Sequence, residues 1–308
     1  MHVTLRTEWT VVAGGLCLAL LGGCARVETE PDPRSDTSRV GTVEGRAEPF
    51  HSVCLGGEIT VLPGVFRPDE AELLVVPLLM SHPALFAGRE VLEIGTGSGL
   101  VGLCAARLGS RRVVLTDISP EAVDCARRNA EALGLEGVVE ARLVPESDPS
   151  AYSVIRPDES FDILLSNPPY SLDLDAPRDT TVVETGDLGF SILRGLRAHL
   201  RPDGFAVLLY NSVFYHKVMV RYARQLGFEV RSQSPNVLSP WETEALFNSY
   251  LERVLSTQGM DARAMRFDWT QDELALFTRS EPQPLLSEFP TGSFPGIIVV
   301  RGQAGPER

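Results

Sequence analysis

The sequence predicts an α/β fold, with a doubly wound, mostly parallel sheet of seven strands and helices on both faces. Three observations predict it. Short apolar runs of strand length alternate with amphipathic runs of helical length over most of the chain. A glycine-rich turn, "GTGSG", joins the first sheet strand to its helix. A second helical stretch, at 240–282, interrupts the alternation before the last strand. Strands alternating with helices run parallel, because the crossover returns each strand in the same direction, and the helices cover both faces.

The elements follow in order. "EITVLPGVF" (58–66) alternates and then turns. "PDEAELLVVPLLMSH" (68–82) predicts a helix that opens near Pro68. Its apolar face is Leu73, Leu74, Val76 and Leu78, with a kink or break at Pro77. "EVLEIG" (90–95) is a buried strand, "SGLVGLCAARLG" (98–109) a helix and "RVVLTD" (112–117) a strand. "SPEAVDCARRNAEALG" (119–134) is a helix with a Ser cap and a Gly stop. "VVEARLV" (138–144) and "FDILLSN" (161–167) are strands. "GDLGFSILRGLRAHL" (186–200) is a helix, "GFAVLLYN" (204–211) a strand, and "HKVMVRYARQLG" (216–227) a helix. "FEVRSQ" (228–233) and "GIIVVRG" (296–302) complete the sheet. Residues 25–49 are polar, rich in Pro, Glu, Asp, Arg and Ser, and lack periodicity, which predicts a flexible tether. The folded domain is therefore expected at 50–302, with 303–308 as a tail.

At 308 residues, 44% hydrophobic, the chain can bury a full core. Its net charge of -13 argues against gripping a long duplex through phosphates, which needs clustered Lys and Arg. It leaves room for a small base-binding pocket. The pairs Arg111-Arg112 and Arg127-Arg128 read as solvated charge. Of the five cysteines, Cys104 and Cys125 fall on apolar helix faces and Cys54 stands alone. With no C-x-x-C pair and no His/Cys cluster, neither a metal site nor a disulfide framework is expected.

In a doubly wound sheet, ligands sit beyond the carboxyl ends of the strands, where strand order reverses. Gly95, Gly97 and Gly99 occupy such a loop, and without Cβ atoms they admit close approach of backbone to ligand. Gly97, Gly99 and Gly102 also match the dinucleotide-binding spacing. Asp117 ends the next strand, about 20 residues on, where an acid can grip ribose hydroxyls. A nucleoside-containing cofactor follows, with NAD and S-adenosylmethionine both open.

The spacing Glu93-x-Gly95-x-Gly97-x-Gly99 resembles motif I of class I S-adenosylmethionine-dependent methyltransferases, enzymes of Rossmann-like fold. "TDISPEAVDCARRNAEALGL" resembles their next motif. The resemblance implies S-adenosylmethionine as cofactor, with Glu93, Gly95, Thr96, Gly97, Gly99, Asp117, Ile118 and Asn167 around it. It also implies a carboxylate near the adenine, Glu146 or Asp148 of "VPESD".

Asn167, Pro168, Pro169 and Tyr170 follow the strand at 161–167 and match motif IV of amino-methyltransferases that act on planar nitrogens. Such a nitrogen is a poor nucleophile because its lone pair is delocalised. Two carbonyls, one from the Asn side chain and one from Pro168, can each accept an N–H and favour charge developing on the nitrogen. The prolines hold those carbonyls rigid, and a Tyr can stack on a planar group. "LGGEITVLPGVFRPDEAELLV" and "ETGDLGFSILRGLRAHLRPDGFAVL" are similar to segments of release-factor glutamine methyltransferases, and the resemblance covers 55–233. That family's helical N-terminal domain has no counterpart here, and residues 240–282 depart from its pattern. The acceptor is expected to be a protein glutamine or a small molecule, with nucleic acid unsupported by charge.

The N-terminus reads separately. Arg6 precedes an apolar run, Val11 to Leu21, which is shorter than the ~20 residues that span a bilayer. It ends in "LGGC", which resembles the bacterial lipobox with Cys24 as the lipidated residue. Residues 1–24 are thus expected to be a signal peptide, and the chain a membrane-anchored lipoprotein, outer-membrane by its Ala25. A cytoplasmic protein is the alternative. Two other readings of the whole chain stand beside the methyltransferase. An NAD-dependent oxidoreductase lacks a Tyr-x-x-x-Lys or His/Asp relay and leaves "NPPY" unexplained. A non-catalytic lipoprotein that binds cofactor or partner fits the tether.

Overall fold

The structure, a computed structural model, describes residues 42–168, 187–210, 213–232 and 297–302. A seven-stranded sheet runs through it in the order β5-β4-β3-β6-β7-β9-β8. The strands are β3 (Glu90–Ile94), β4 (Arg112–Asp117), β5 (Val139–Leu143), β6 (Phe161–Ser166), β7 (Leu200–Leu209), β8 (Phe228–Ser232) and β9 (Ile297–Gly302). β3 to β7 are parallel, and β9 inserts antiparallel between β7 and β8. From β3 the chain winds outward through β4 to β5, then returns to place β6 on the other side of β3. The reversal lies between β3 and β6.

The central strands are apolar at nearly every position because both faces are covered. Val91, Val113, Leu115, Ile163 and Leu165 point into one core with α1 (Val76–Ser81), α2 (Leu100–Arg107) and α3 (Pro120–Ala132). Their neighbours Leu92, Ile94, Val114 and Leu164 point into the other, with α4 (Asp187–His199) and α5 (Val213–Gln225). The alternation is the period-two geometry of a strand. Ser119 caps α3 by accepting the Ala122 N–H at 3.1 Å, and Gly134 follows the helix at φ +67°.

Four expectations change. Paired structure begins before residue 50. β1 (Glu48–Ser52) forms an antiparallel hairpin with β2 (Gly57–Val61), and Val43 is buried and exchanges backbone bonds with Val65 and Gly64. Residues 42–49 thus belong to the folded part, because one apolar residue, Val43, anchors an otherwise polar run.

The helix before β3 is not one α-helix. A π-helical turn, Ala71–Val75, precedes α1. Pro77 has no N–H for the α-helical ladder, and the wider turn ends just ahead of it. The change of period rotates Leu73 out to 73% exposure, while Val75, Val76, Leu78 and Leu79 are buried.

Cys54 and Cys104 form a disulfide, with Cα atoms 5.7 Å apart. It joins the tip of the β1–β2 hairpin to α2, a pairing across 50 residues that no local spacing announces. Arg112 is not a solvated charge. It lies between Glu90, Glu140 and Glu159 at the start of β4. Arg111 pairs with Glu90, and Arg127 and Arg128 with Asp124, on the surface. The signal segment with Cys24, most of the tether and the 240–282 stretch lie outside the described residues.

Candidate functional site

Two loops leave the sheet side by side at the reversal point, the glycine loop after β3 and the "SNPP" exit after β6. Ile94 pairs with Ser166 across the two strands. The Ser166 hydroxyl donates to the Ile94 carbonyl at 2.7 Å in a buried setting. This bond ties the two strand ends together and places Asn167 beside Gly95. Asn167 is half-buried and Pro168 buried. Pro169 and Tyr170 lie outside the described residues.

The glycine loop is built on its own strand and the next. Gly95 and Thr96 N–H both donate to the Thr116 carbonyl, at 2.9 and 3.1 Å. Gly95, Gly97 and Gly99 have φ of +73°, +53° and +87°, the left-handed region that favours glycine. A Cβ on Gly95 or Gly97 would meet nothing within 4 Å, so the space over the loop is open. Gly102 serves a different purpose. A Cβ there would fall 2.2 Å from Leu115 and 2.7 Å from Glu93, so its absence lets α2 lie close against the sheet.

Two carboxylates support this loop from below. Glu93 Oε2 accepts the Thr96 hydroxyl at 2.7 Å and the Gly102 N–H at 3.0 Å. Burial pushes its pKa up to about 8, against the pull of those two donors, and nearby Asp117 adds to the rise. Glu93 is thus a brace inside the loop, fully withdrawn from solvent. Asp117 Oδ2 accepts the Gly97 N–H at 2.9 Å and Oδ1 the Ser119 N–H at 3.0 Å. Desolvation by the surrounding loop raises its pKa, and the N–H groups of Ser119, Gly97 and Ile118 oppose the rise. Asp117 and Ile118 each remain partly exposed.

The structure therefore brings Glu93, Gly95, Thr96, Gly97, Gly99, Asp117, Ile118 and Asn167 together. Glu146 and Asp148 sit further out, exposed past the end of β5. Sequence reasoning missed three members of this frame. Thr116 receives the loop backbone, and its own hydroxyl donates to the Glu93 carbonyl at 3.2 Å. Ser166 joins the two loops. Asn129 holds the loop from α3. A polar residue inside an apolar run, as at 166, or on an apolar helical stripe, as at 129, is the signal that exposes such residues.

The family model described as methyltransferase small domain matches residues 56–229. A release factor glutamine methyltransferase of Koribacter versatilis is 34% identical over 173 residues, 51% of this chain and 59% of that protein. A ribosomal protein L11 methyltransferase of Pseudomonas paraeruginosa is 34% identical over 161 residues, 45% of this chain and 51% of its own. The matched region thus spans little more than half the length of these relatives. A solved ribosomal protein L11 methylase from Lactobacillus delbrueckii subsp. bulgaricus superposes with a TM-score of 0.39 at 22% identity, covering 51% of this chain and 70% of that one.

Proposed function

The chain belongs to the methyltransferase small domain family and is an S-adenosylmethionine-dependent methyltransferase, and on that premise we propose that it methylates a planar nitrogen, with a protein glutamine amide as acceptor. The crevice residues fit the donor. The open space over Gly95 and Gly97 admits a ligand against bare backbone, and Asp117, mostly buried, holds the Gly97 N–H beside it. Asp117 would accept the ribose hydroxyls, and Glu146, exposed past the end of β5, would be the carboxylate near the adenine. S-adenosylmethionine supplies a methyl group on a cationic sulfur.

One observation carries the reading of the acceptor. Asn167 leaves β6 directly beside the glycine loop, held there by the Ser166–Ile94 bond. In the proposed mechanism the Asn167 side-chain carbonyl and the Pro168 carbonyl each accept one N–H of the amide. Accepting both hydrogens orients the nitrogen and favours positive charge on it as the N–C bond forms. The methyl–sulfur bond would break in the same step, leaving a neutral thioether. One N–H proton would then pass to solvent, so no strong base is required. Tyr170 would stack on the planar group. The net charge of -13 favours a protein over a nucleic acid acceptor, and the relatives quoted above are named for protein substrates.

Methyl transfer from labelled donor into protein, RNA, DNA and small-molecule fractions tests this. Label in protein, on glutamine, is expected; label confined to nucleic acid would sink the acceptor assignment. Asn167→Ala should abolish transfer while sparing donor binding. Transfer that survives the substitution removes Asn167 from the mechanism.

We further propose that the chain acts outside the reducing cytosol, anchored through Cys24. The Cys54–Cys104 disulfide supports this, because such bonds persist in oxidising compartments. Mass analysis of the protein from its native host checks both features. An unmodified Met1 end, or two free thiols at Cys54 and Cys104, rejects the proposal.

A further inference from the structure

Asn129 sits on the buried stripe of α3, among Ala122, Cys125, Ala126 and Ala130, where the helical period calls for apolar side chains. A buried carboxamide is tolerated only if its polar atoms are matched. They are. Oδ1 accepts the Thr60 N–H at 2.9 Å. Nδ2 donates to the Thr60 carbonyl at 2.8 Å and to the Ser98 carbonyl at 2.9 Å. The two Thr60 bonds are those a neighbouring strand would make, so the side chain closes the edge of β2 as a strand residue does.

The third bond reaches the glycine loop. The Ser98 carbonyl shares a peptide unit with the Gly99 N–H, which donates to the Thr96 carbonyl at 2.8 Å. That peptide is therefore held at both ends. Its plane bears on the left-handed conformation of Gly99, the point where the loop enters α2. Three residues before Asn129, Ala126 closes the same contact. A Cβ on Gly99 would lie 3.0 Å from the Ala126 Cβ.

We propose that Asn129 is a positioning residue for the cofactor, which preorganises the glycine loop by fixing the 98–99 peptide and couples that loop to the β1–β2 hairpin. The proposal rests on S-adenosylmethionine as ligand and is independent of the methyl acceptor. Any Kd that is lost comes from a loop that must be ordered at the moment of binding.

Calorimetry with S-adenosylmethionine on the full chain, with thermal unfolding alongside, tests it. Asn129→Ala removes a bond from Thr60 N–H, Thr60 carbonyl and Ser98 carbonyl, the Thr60 carbonyl keeping the Cys125 thiol, and should weaken binding about tenfold. Cys54→Ser breaks the disulfide and loosens the same hairpin without touching Ser98. It should lower the Tm and weaken binding clearly less than Asn129→Ala does, because the Asn129–Ser98 bond remains. A folded Asn129→Ala that binds like the unaltered chain overturns the proposal. An equal loss in both variants also overturns it, since the effect would then belong to the hairpin. If Asn129→Ala does not fold, amide hydrogen exchange on the unaltered chain decides. S-adenosylmethionine should slow exchange at Thr60 together with Gly99, and protection of Gly99 with Thr60 unchanged overturns the proposal.

Discussion

The two ends of the central sheet use the same residue type in opposite ways. At the carboxyl ends, among the described residues, Glu93 and Asp117 accept from neutral donors: the Thr96 hydroxyl and the N–H groups of Gly102, Gly97, Ile118 and Ser119. Burial raises both carboxyl pKa values. Toward the amino ends, arginines surround the acids. Glu159, in the turn before β6, takes both prongs of the Arg142 guanidinium at 2.7 and 2.9 Å, and meets Arg112 and Arg156 as well. Hydrogen bonding to Arg142 holds its pKa far below the usual carboxylate range. Burial alone would raise Asp162, but the Glu90 N–H and Arg201 at 2.7 Å outweigh it and its pKa is lowered. Acids paired with arginine lock strands together. Acids paired with backbone N–H shape a loop, and among the described residues no arginine or lysine pairs with Glu93 or Asp117.

The largest effect on stability should come from the arginine end. Glu159→Gln leaves Arg142, Arg112 and Arg156 short of a charge in a place where Glu159 is 4% exposed. Glu159 is buried, but Arg156 is exposed and Arg112 and Arg142 keep Glu140, so the loss is about 1–3 kcal/mol. Urea unfolding at pH 7 should show that loss, with S-adenosylmethionine affinity unchanged. The sign with pH follows from a lowered pKa. The contribution is present above the unfolded pKa, about 4.3, and is lost as pH falls toward the folded value. Wild type and variant should therefore converge in acid. A Kd that moves with the stability would mean the two ends are not separate.

Glu93→Gln should act in the opposite sense, with a smaller effect. The folded pKa, about 8, stands above the unfolded one. Its contribution is therefore complete below the unfolded pKa and is lost as pH rises through about 8. A glutamine keeps an oxygen for Thr96 and Gly102 and has no proton to lose. The variant should gain on wild type as pH rises toward about 8 and lose that advantage near pH 4.5. Thermal unfolding across pH 4.5–8.5 checks it. A variant less stable than wild type at pH 8 would show that the ionised carboxylate is needed by the loop.

How much of this frame was legible depended on distance along the chain. The strands, the glycine loop, Asp117 and Asn167 were readable because period and motif are local. The bonds that bring them together are not. Ser166 reaches Ile94 across 72 residues and Asn129 reaches Thr60 across 69, and the disulfide spans 50. Leu73 was misassigned because the π-turn before Pro77 breaks the 3.6-residue period on which the reading relied. Asn129 did leave a trace, as the one amide on the alanine-rich stripe of α3. A buried polar residue in an apolar pattern implies a partner, but not which one.

The smallest stability change should accompany a clear loss of binding. Asp117→Asn keeps shape and volume but has one acceptor oxygen where two are used, for Gly97 and Ser119. Its amide N–H₂ must face one of those N–H groups, donor against donor. The loss of one such bond is about 1 kcal/mol, offset in part because the asparagine needs no buried charge. The Tm should therefore move little. Affinity is another matter: if Asp117 takes a ribose hydroxyl as proposed, that bond to a charged acceptor is worth about 1.5–3 kcal/mol, or roughly 10–100-fold in Kd. Glu159→Gln should then lower stability at constant affinity, and Asp117→Asn should lower affinity at nearly constant stability. Calorimetry and thermal unfolding on both variants measure the two axes. If Asp117→Asn unfolds the chain as Glu159→Gln does, the carboxyl end is a structural lock like the other, and its acids are not reserved for the cofactor.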